Sequence, residues 1–288
     1  MQWGKNAVTA GRLRIRGSQR RWVPVDLTYL HLCALVVLGA VAGGIGSLTG
    51  IGGGLIITPI LTLVFGVPIH QAIGTSLCCV IATSSGAAAS YVEHRLSDIR
   101  LGMTLELTTT LGAVTGSLVA AMLSREALAI LFAVFLSYAG STMARRSFQA
   151  GAAEPSVLEP YKVKRLPLGL CGSGVAGIIS GMLGVGGGII KVPLMYLAMG
   201  VPFKVATATS NLMIGVTAAA SAFIYYFRGD VWPLITAPTA VGVYLGAALG
   251  ARLMRRTPSR WLIVLFSFIM FYFAVIMIWK SFHGGFAR

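Results

Sequence analysis

The sequence predicts an all-α polytopic membrane protein of two five-helix inverted repeats, and three observations carry that prediction. First, 56% of the 288 residues are hydrophobic and 11% charged, against about a quarter charged in soluble chains. Second, ten apolar segments follow one another with polar breaks between them. Third, the second half of the chain repeats a glycine-rich motif of the first. Such a composition excludes a cytosolic enzyme, a secreted disulfide scaffold and a disordered chain. The net charge of +15, from 23 basic and 8 acidic residues, does not point to nucleic acid. The bases crowd into tails and loops, where they meet anionic lipid headgroups.

In order, the apolar segments are Leu27–Leu48, Gly54–Phe65, Ala72–Val92, Leu101–Leu123, Ala127–Ala144, Leu166–Val185, Gly188–Gly200, Val205–Phe227, Val231–Ala251 and Trp261–Trp279. A helix needs about 20 residues to cross a bilayer core of about 30 Å. Eight segments meet or approach that length. Gly54–Phe65 and Gly188–Gly200 do not, and they occupy matching places in the two halves. They are predicted as half-length, broken helices. No cleavable signal peptide is expected.

Residues 41–77 align with 175–211 at a constant offset and without a gap, and nearly half the positions are identical. Gly50, Gly52, Gly53 and Gly54 match Gly184, Gly186, Gly187 and Gly188. Pro59 matches Pro193, Gly66-Val67-Pro68 matches Gly200-Val201-Pro202, and Thr75-Ser76 matches Thr209-Ser210. Gly112-x-x-x-Gly116 pairs with Gly242-x-x-x-Gly246 after a short change of register. The chain therefore divides into a basic tail (1–26), a first repeat (27–144), a polar linker (145–165), a second repeat (166–280) and a C-terminal tail (281–288). An odd number of spans per repeat sends the second into the membrane from the opposite face, the architecture of many secondary transporters. Ten crossings put the linker and the Arg252–Arg260 cluster on one side, read as cytoplasmic, with the tail opposite.

Four glycines in five positions make poor helix. Non-helical backbone at membrane depth is tolerated only where protein buries it or water reaches it. Gly52, Gly53 and Gly54, with Gly186, Gly187 and Gly188, are therefore candidate substrate-binding turns. The short helix after each turn would aim its free N–H groups and positive dipole end at an anion; close helix packing is the competing explanation. Thr75, Ser76, Thr209, Ser210 and Asn211 follow the Gly-Val-Pro turns and offer hydroxyl and amide donors to an oxyanion, or bonds to carbonyls of their own helices. Lys191 stands where the first repeat has Ile57, a base well inside an apolar segment. An embedded charge is a functional candidate, and Lys191 would supply a counter-charge unless it snorkels to the interface. Glu106, six residues into the fourth segment, reads as a headgroup-level acid, with a coupling proton or a pair with Lys191 as alternatives.

The four histidines form no metal-ligand pattern, and His70 reads as a loop cap. Cys33, Cys78, Cys79 and Cys171 lie in apolar segments without a C-x-x-C pair and read as buried small hydrophobes. No cofactor, metal or catalytic residue is expected.

The paired Gly-x-Gly-Gly-Gly runs, the short segments ending in Gly-Val-Pro and the Thr-Ser pairs together resemble the sulfite exporter TauE/SafE family, over about residues 27–280. The resemblance implies a multi-pass inner-membrane transporter that exports a small sulfur-containing anion, such as sulfite or sulfoacetate. Its partners would be that anion and membrane lipid, not nucleic acid, and the Gly112/Gly116 and Gly242/Gly246 faces suit helix packing, within one chain or between two chains of a homodimer. A passive anion channel is the alternative. An intramembrane serine hydrolase built on Ser173 is a weaker one.

Overall fold

The computed structural model describes residues 29–94, 96–149, 161, 163–253, 268, 271–276 and 278–279. Its elements are helices throughout: α1 (Tyr29–Thr49), α2 (Gly54–Leu63), α3 (Ile69–Glu93), α4 (Ile99–Met122), α5 (Arg125–Gln149), α6 (Leu166–Leu183), α7 (Gly188–Pro193), α8 (Phe203–Phe227) and α9 (Pro233–Leu253). Isolated helical residues at 268, 271–276 and 278–279 fall within the tenth predicted segment. The basic tail, the linker core 150–160 and most of the tenth segment lie outside the described residues.

Six of these helices, α1, α3, α4, α6, α8 and α9, are long and apolar enough to cross a membrane. Outward-facing Leu107, Leu111, Phe223, Phe227 and Leu249 are each more than 60% exposed. An exposed apolar surface of this kind suits lipid, not water. The chain is thus a polytopic all-α membrane protein.

Helix ends follow the punctuation. α3 and α8 start after Pro68 and Pro202, whose φ is −54° in both cases. Asp98 caps α4 by accepting the Leu101 N–H at 2.9 Å, which satisfies one of the orphan donors of the first turn. α5 runs on past the predicted Ala144, through Arg145 and Arg146 to Gln149. Its extension shortens the expected linker from the N-terminal side.

The half-length helices are real. α2 has 10 residues, about 15 Å of rise. α7 has 6 and passes at Pro193 into a π-helical turn, Leu194–Ala198. Proline lacks the N–H that an uninterrupted ladder requires, and the Met199 N–H reaches back five residues to Leu194 O at 3.2 Å. That closes the wide turn.

Small residues set the helix contacts. A Cβ at Gly112 would lie 2.2 Å from Gly174 O, and one at Gly116 2.1 Å from Ile178 O, so α4 lies backbone to backbone on α6. On the other side, a Cβ at Gly246 would lie 1.9 Å from Ala40 O and one at Gly250 2.6 Å from Gly44 O, which brings α9 onto α1. The first helix of each half thus packs on the fourth helix of the other. These contacts correct the predicted pairing of Gly112/Gly116 with Gly242/Gly246. Gly112 is matched by Gly246 and Gly116 by Gly250, at the same offset as the glycine turns, with no change of register.

The contacts also fix directions. Along α1 and α9, Val36 meets Gly242 and Ala40 meets Gly246; along α3 and α9, Thr75 meets Thr236 and Gly86 meets Tyr244. These three helices run the same way. α4, α6 and α8 likewise run together, with Gly112 against Gly174, Glu106 against Thr217 and Ser117 against Arg228. α3 and α8 cross in opposite senses, since Ser84 bonds Asn211 O at 2.7 Å while Ala87 and Tyr91 cluster with Ala208. Arg165, at the start of α6, and Arg252, at the end of α9, consequently lie on one face, as the ten-segment scheme has it.

Candidate functional site

The two glycine turns meet each other against α3 at Ile73 to Thr83 and against α8 at Thr207 to Ile214. Positive φ is required at Gly50 (75°), Gly52 (89°) and Gly53 (72°), and again at Gly184 (72°), Gly186 (78°) and Gly187 (72°). L residues rarely adopt that conformation. A Cβ at Gly52 would strike Ile214 and Val80, and one at Gly186 would strike the same two side chains. The turns are in direct backbone contact: a Cβ at Gly188 would lie 2.0 Å from Gly50 O, and one at Gly54 2.4 Å from Gly184 O. The start of each short helix therefore faces a carbonyl of the opposite turn.

Ser76 and Ser210 fasten this contact from either side. Ser76 Oγ donates to Gly184 O at 2.8 Å and Gly54 O at 3.3 Å. Ser210 Oγ donates to Gly50 O at 3.0 Å. Each serine thus ties its own helix to the turn of the other half. Thr83 Oγ1 adds a bond to Gly52 O at 3.1 Å.

The other predicted donors are also engaged. Thr75 Oγ1 and Thr236 Oγ1 share a bond at 3.1 Å. Thr209 Oγ1 accepts the Asp98 N–H at 2.9 Å. Asn211 Nδ2 donates to Ser47 O at 3.0 Å and Thr207 O at 3.1 Å, while its Oδ1 has no partner. Two hydroxyls that sequence reasoning missed stand unpartnered beside the turns. Among the described residues Thr207 Oγ1 and Ser180 Oγ are buried without a hydrogen-bond partner, Thr207 against Gly50 and Ser180 against Gly187. Their only sequence signal is position: Thr207 lies one turn before Asn211, and Ser180 four residues before the second glycine run.

One turn beyond the second glycine run stands the most polar feature of the interior. Lys191 is fully buried, and its backbone N–H bonds Gly187 O at 3.1 Å. Its ammonium lies 3.3 Å from Glu106 Oε2 and donates to Thr217 Oγ1 at 2.9 Å. Thr217 in turn donates to Glu106 Oε1 at 2.5 Å, and Thr110 donates to the same oxygen at 3.2 Å. Glu106 is 5% exposed. Thus Lys191 does not snorkel and Glu106 is not at headgroup level; the two form a buried pair joining α7, α4 and α8. At the matched positions of the other half stand Ile57 and Ala240, with Thr83 in the place of Thr217.

Elsewhere the structure is plainer. His70 Nε2 meets Ala120 O at 3.2 Å, at the end of α4. Cys33 and Cys171 are exposed on the outer surface, against the expectation that all four thiols are buried; Cys78 is half-buried and Cys79 buried. The reason is helical phase, which turns those two positions toward lipid. Ser173 is buried, and among the described residues its hydroxyl has no hydrogen-bond partner. Among the described residues no cluster of ligating side chains is able to hold a metal.

Crossing helices, two broken at interlocked glycine turns, with a buried charge pair beside them, define a polytopic membrane transporter. The family profile described as Sulfite exporter TauE/SafE matches residues 35–277, and the chain belongs to that family. It is 29% identical to the probable membrane transporter protein YunE of Bacillus subtilis over 269 residues, covering 86% of this chain and 97% of that one. A probable membrane transporter protein of Xylella fastidiosa is 30% identical over 264 residues, covering 88% and 98% respectively. One of Methanocaldococcus jannaschii is 28% identical over 256 residues, covering 84% and 93%. No solved structure matches the chain.

Proposed function

We propose that this transporter is a secondary carrier that exports a small sulfur-containing oxyanion, sulfite or an organosulfonate such as sulfoacetate, across the cell inner membrane by alternating access. The observation that carries the proposal is the meeting of two glycine turns inside the helix bundle with a buried ammonium one turn away. Neutral backbone donors, the unpartnered hydroxyls of Ser180 and Thr207 and the Lys191 charge suit an oxyanion better than a cation or an apolar solute. The opposed directions of matched helices support an inverted repeat. In that arrangement, rocking one half against the other exposes a midplane site to each face in turn.

In this scheme the interlocked turns are the occluded gate. Separation of Gly188 from Gly50, and of Gly54 from Gly184, opens backbone N–H groups at Gly52–Gly54 and Gly186–Gly188 to the anion, with the Gly52 N–H giving up its bond to Gly46 O. Thr75, Ser76, Thr209, Ser210 and Asn211 then exchange present bonds for bonds to substrate or to the rearranged turns. A passive channel needs a continuous polar lining, and backbone contact between the turns argues against one.

The test is sulfite counterflow in proteoliposomes. Saturable exchange that is lost in Gly187→Leu supports a carrier with its site at the turns. Normal exchange by an inserted Gly187→Leu protein removes that site, and non-saturating flux without counterflow favours the channel.

A further inference from the structure

The Lys191–Glu106–Thr217 cluster is present in one half only. The matched positions carry Ile57, Ala240 and Thr83, and Ile57 is fully buried. The fold therefore packs a version of this site with apolar residues in place of both charges on the same pattern of helices. In a membrane interior an apolar set costs far less than a charged one, so packing does not explain the pair.

From this asymmetry and its geometry we infer that the Glu106 carboxylate is a built-in surrogate for the transported anion, and that exchange of one for the other couples each anion to one proton. The inference rests on the anion reading above. Lys191 holds Glu106 at 3.3 Å, and Thr217 bridges them, accepting from Lys191 while donating to Glu106. An ammonium has three donors, and two of Lys191's are committed to these partners. An arriving oxyanion presents the same acceptors as the carboxylate and takes its place on Lys191 and Thr217.

Charge balance then dictates the second step. With Lys191 cationic and Glu106 anionic the site is neutral. A monoanion added to it leaves a buried net negative charge, which the low-dielectric interior penalises. Uptake of one proton by the displaced Glu106 carboxylate restores neutrality: the ammonium keeps its protons, the anion takes its charge, and Glu106 becomes a neutral acid that donates to Thr110 or Thr217. Release of the anion reverses both steps and returns the proton to the side where the anion leaves. Net movement is one monoanion with one proton in the same direction, without net charge.

Among the described residues, the ionisable group bonded to Glu106 is Lys191, while Tyr161 packs on the neighbouring cluster of Leu105 and Val192 and gives its hydroxyl to Asp98. α7 contributes Lys191 alone. α6 has Cys171, which faces outward. The π turn has Tyr196, 40% exposed. On α8 the nearest ionisable residues to Thr217 are Lys204 and Tyr225, more than two helical turns away, and on α4 itself Asp98 and Arg100 lie at the start of the helix.

The experiment uses the full chain in proteoliposomes with a trapped pH dye and labelled sulfite or methanesulfonate, whichever shows wild-type counterflow. The wild type is expected to accumulate anion down an imposed proton gradient. Glu106→Gln keeps the hydrogen-bonding shape but takes no proton. Any counterflow it shows is expected to be independent of pH, and both gradient-driven accumulation and its share of proton uptake are lost. Lys191→Met with Glu106→Leu, which rebuilds the apolar version, should fold and insert yet lose anion counterflow. Gradient-driven accumulation that survives in Glu106→Gln overturns the coupling while leaving the anion reading intact. Counterflow that survives in the double variant overturns the surrogate role. Absence of wild-type counterflow with either anion overturns this inference together with the reading beneath it.

Discussion

Lys191 and Glu106 are 85 residues apart in sequence and 3.3 Å apart in space, and both are buried. Desolvation makes such a pair a poor source of stability, yet removal of one partner strands the other at a cost of about 3–5 kcal/mol. Lys191→Ala is therefore expected to lower the unfolding midpoint in detergent sharply. Lys191→Met combined with Glu106→Leu should recover most of that loss, because both charges vanish together. A double variant no more stable than the sum of its singles would show that the two residues do not sense each other.

Ser76 and Ser210 make a matched test of the turn contact. Each donates to a turn of the opposite half, Gly184 O at 2.8 Å and Gly50 O at 3.0 Å. Alanine at either position leaves a buried carbonyl short of a donor, worth about 1–3 kcal/mol. Both single variants should lose stability by similar amounts and open the gate more often. Faster modification of a cysteine placed at Thr207 by a small thiol reagent, relative to the serine-intact parent, is the expected signature. Unchanged labelling in both would mean that backbone packing alone keeps the turns together.

Glycines here are not interchangeable, and two alanine variants separate the causes. At Gly188 a Cβ would lie 2.0 Å from Gly50 O, with backbone φ in the ordinary range. The clash is with rigid backbone, so Gly188→Ala must drive the turns apart and is expected to abolish transport. Gly66 has φ +65° and nothing within 4 Å of its added Cβ. Gly66→Ala carries only local left-handed strain, about 1–2 kcal/mol, and should retain transport. Equal loss in both would locate the glycine requirement in turn flexibility, not in contact between halves.

Local signals made the frame legible. Glycine runs ended α1 and α6, Gly-Val-Pro preceded α3 and α8, and the half-length segments reappeared as α2 and α7 because each rule acts within a few residues. What depends on partners was harder to read. Glu106 looked like a headgroup acid from its depth along α4, since nothing local reveals that α7 folds back to deliver an ammonium. The present bonds of Ser76 and Ser210 had no local signal, since the carbonyls they meet belong to the other half, 108 and 160 residues away. Gly112 was matched to Gly242 by motif shape, whereas packing against Gly174 and Ala40 shows Gly246 to be its counterpart. Cys33 and Cys171 were misplaced for a related reason: apolar surroundings mean lipid as readily as core.

The end of the linker is latched to the bundle at a site outside the membrane spans. Tyr161 Oη donates to Asp98 Oδ2 at 2.5 Å, while Asp98 caps α4 and its N–H donates to Thr209. Burial, followed by the bond to Asp98 and its negative charge, pushes the Tyr161 phenol above its usual range. A pKa raised on folding means that the latch is fully made below the ordinary tyrosine value, about pH 10, and is lost only as pH climbs through the higher folded value. Subtracting the alkaline ultraviolet titration of Tyr161→Phe from that of the wild type isolates this phenol, and its tyrosinate absorbance is expected to rise well above pH 10. The variant should also exchange amide protons faster at Lys164, whose N–H is held by Met199 O at 3.0 Å. A phenol that titrates at the ordinary value, with Lys164 exchange unchanged, would mean that Tyr161 rests against Asp98 without holding the linker down.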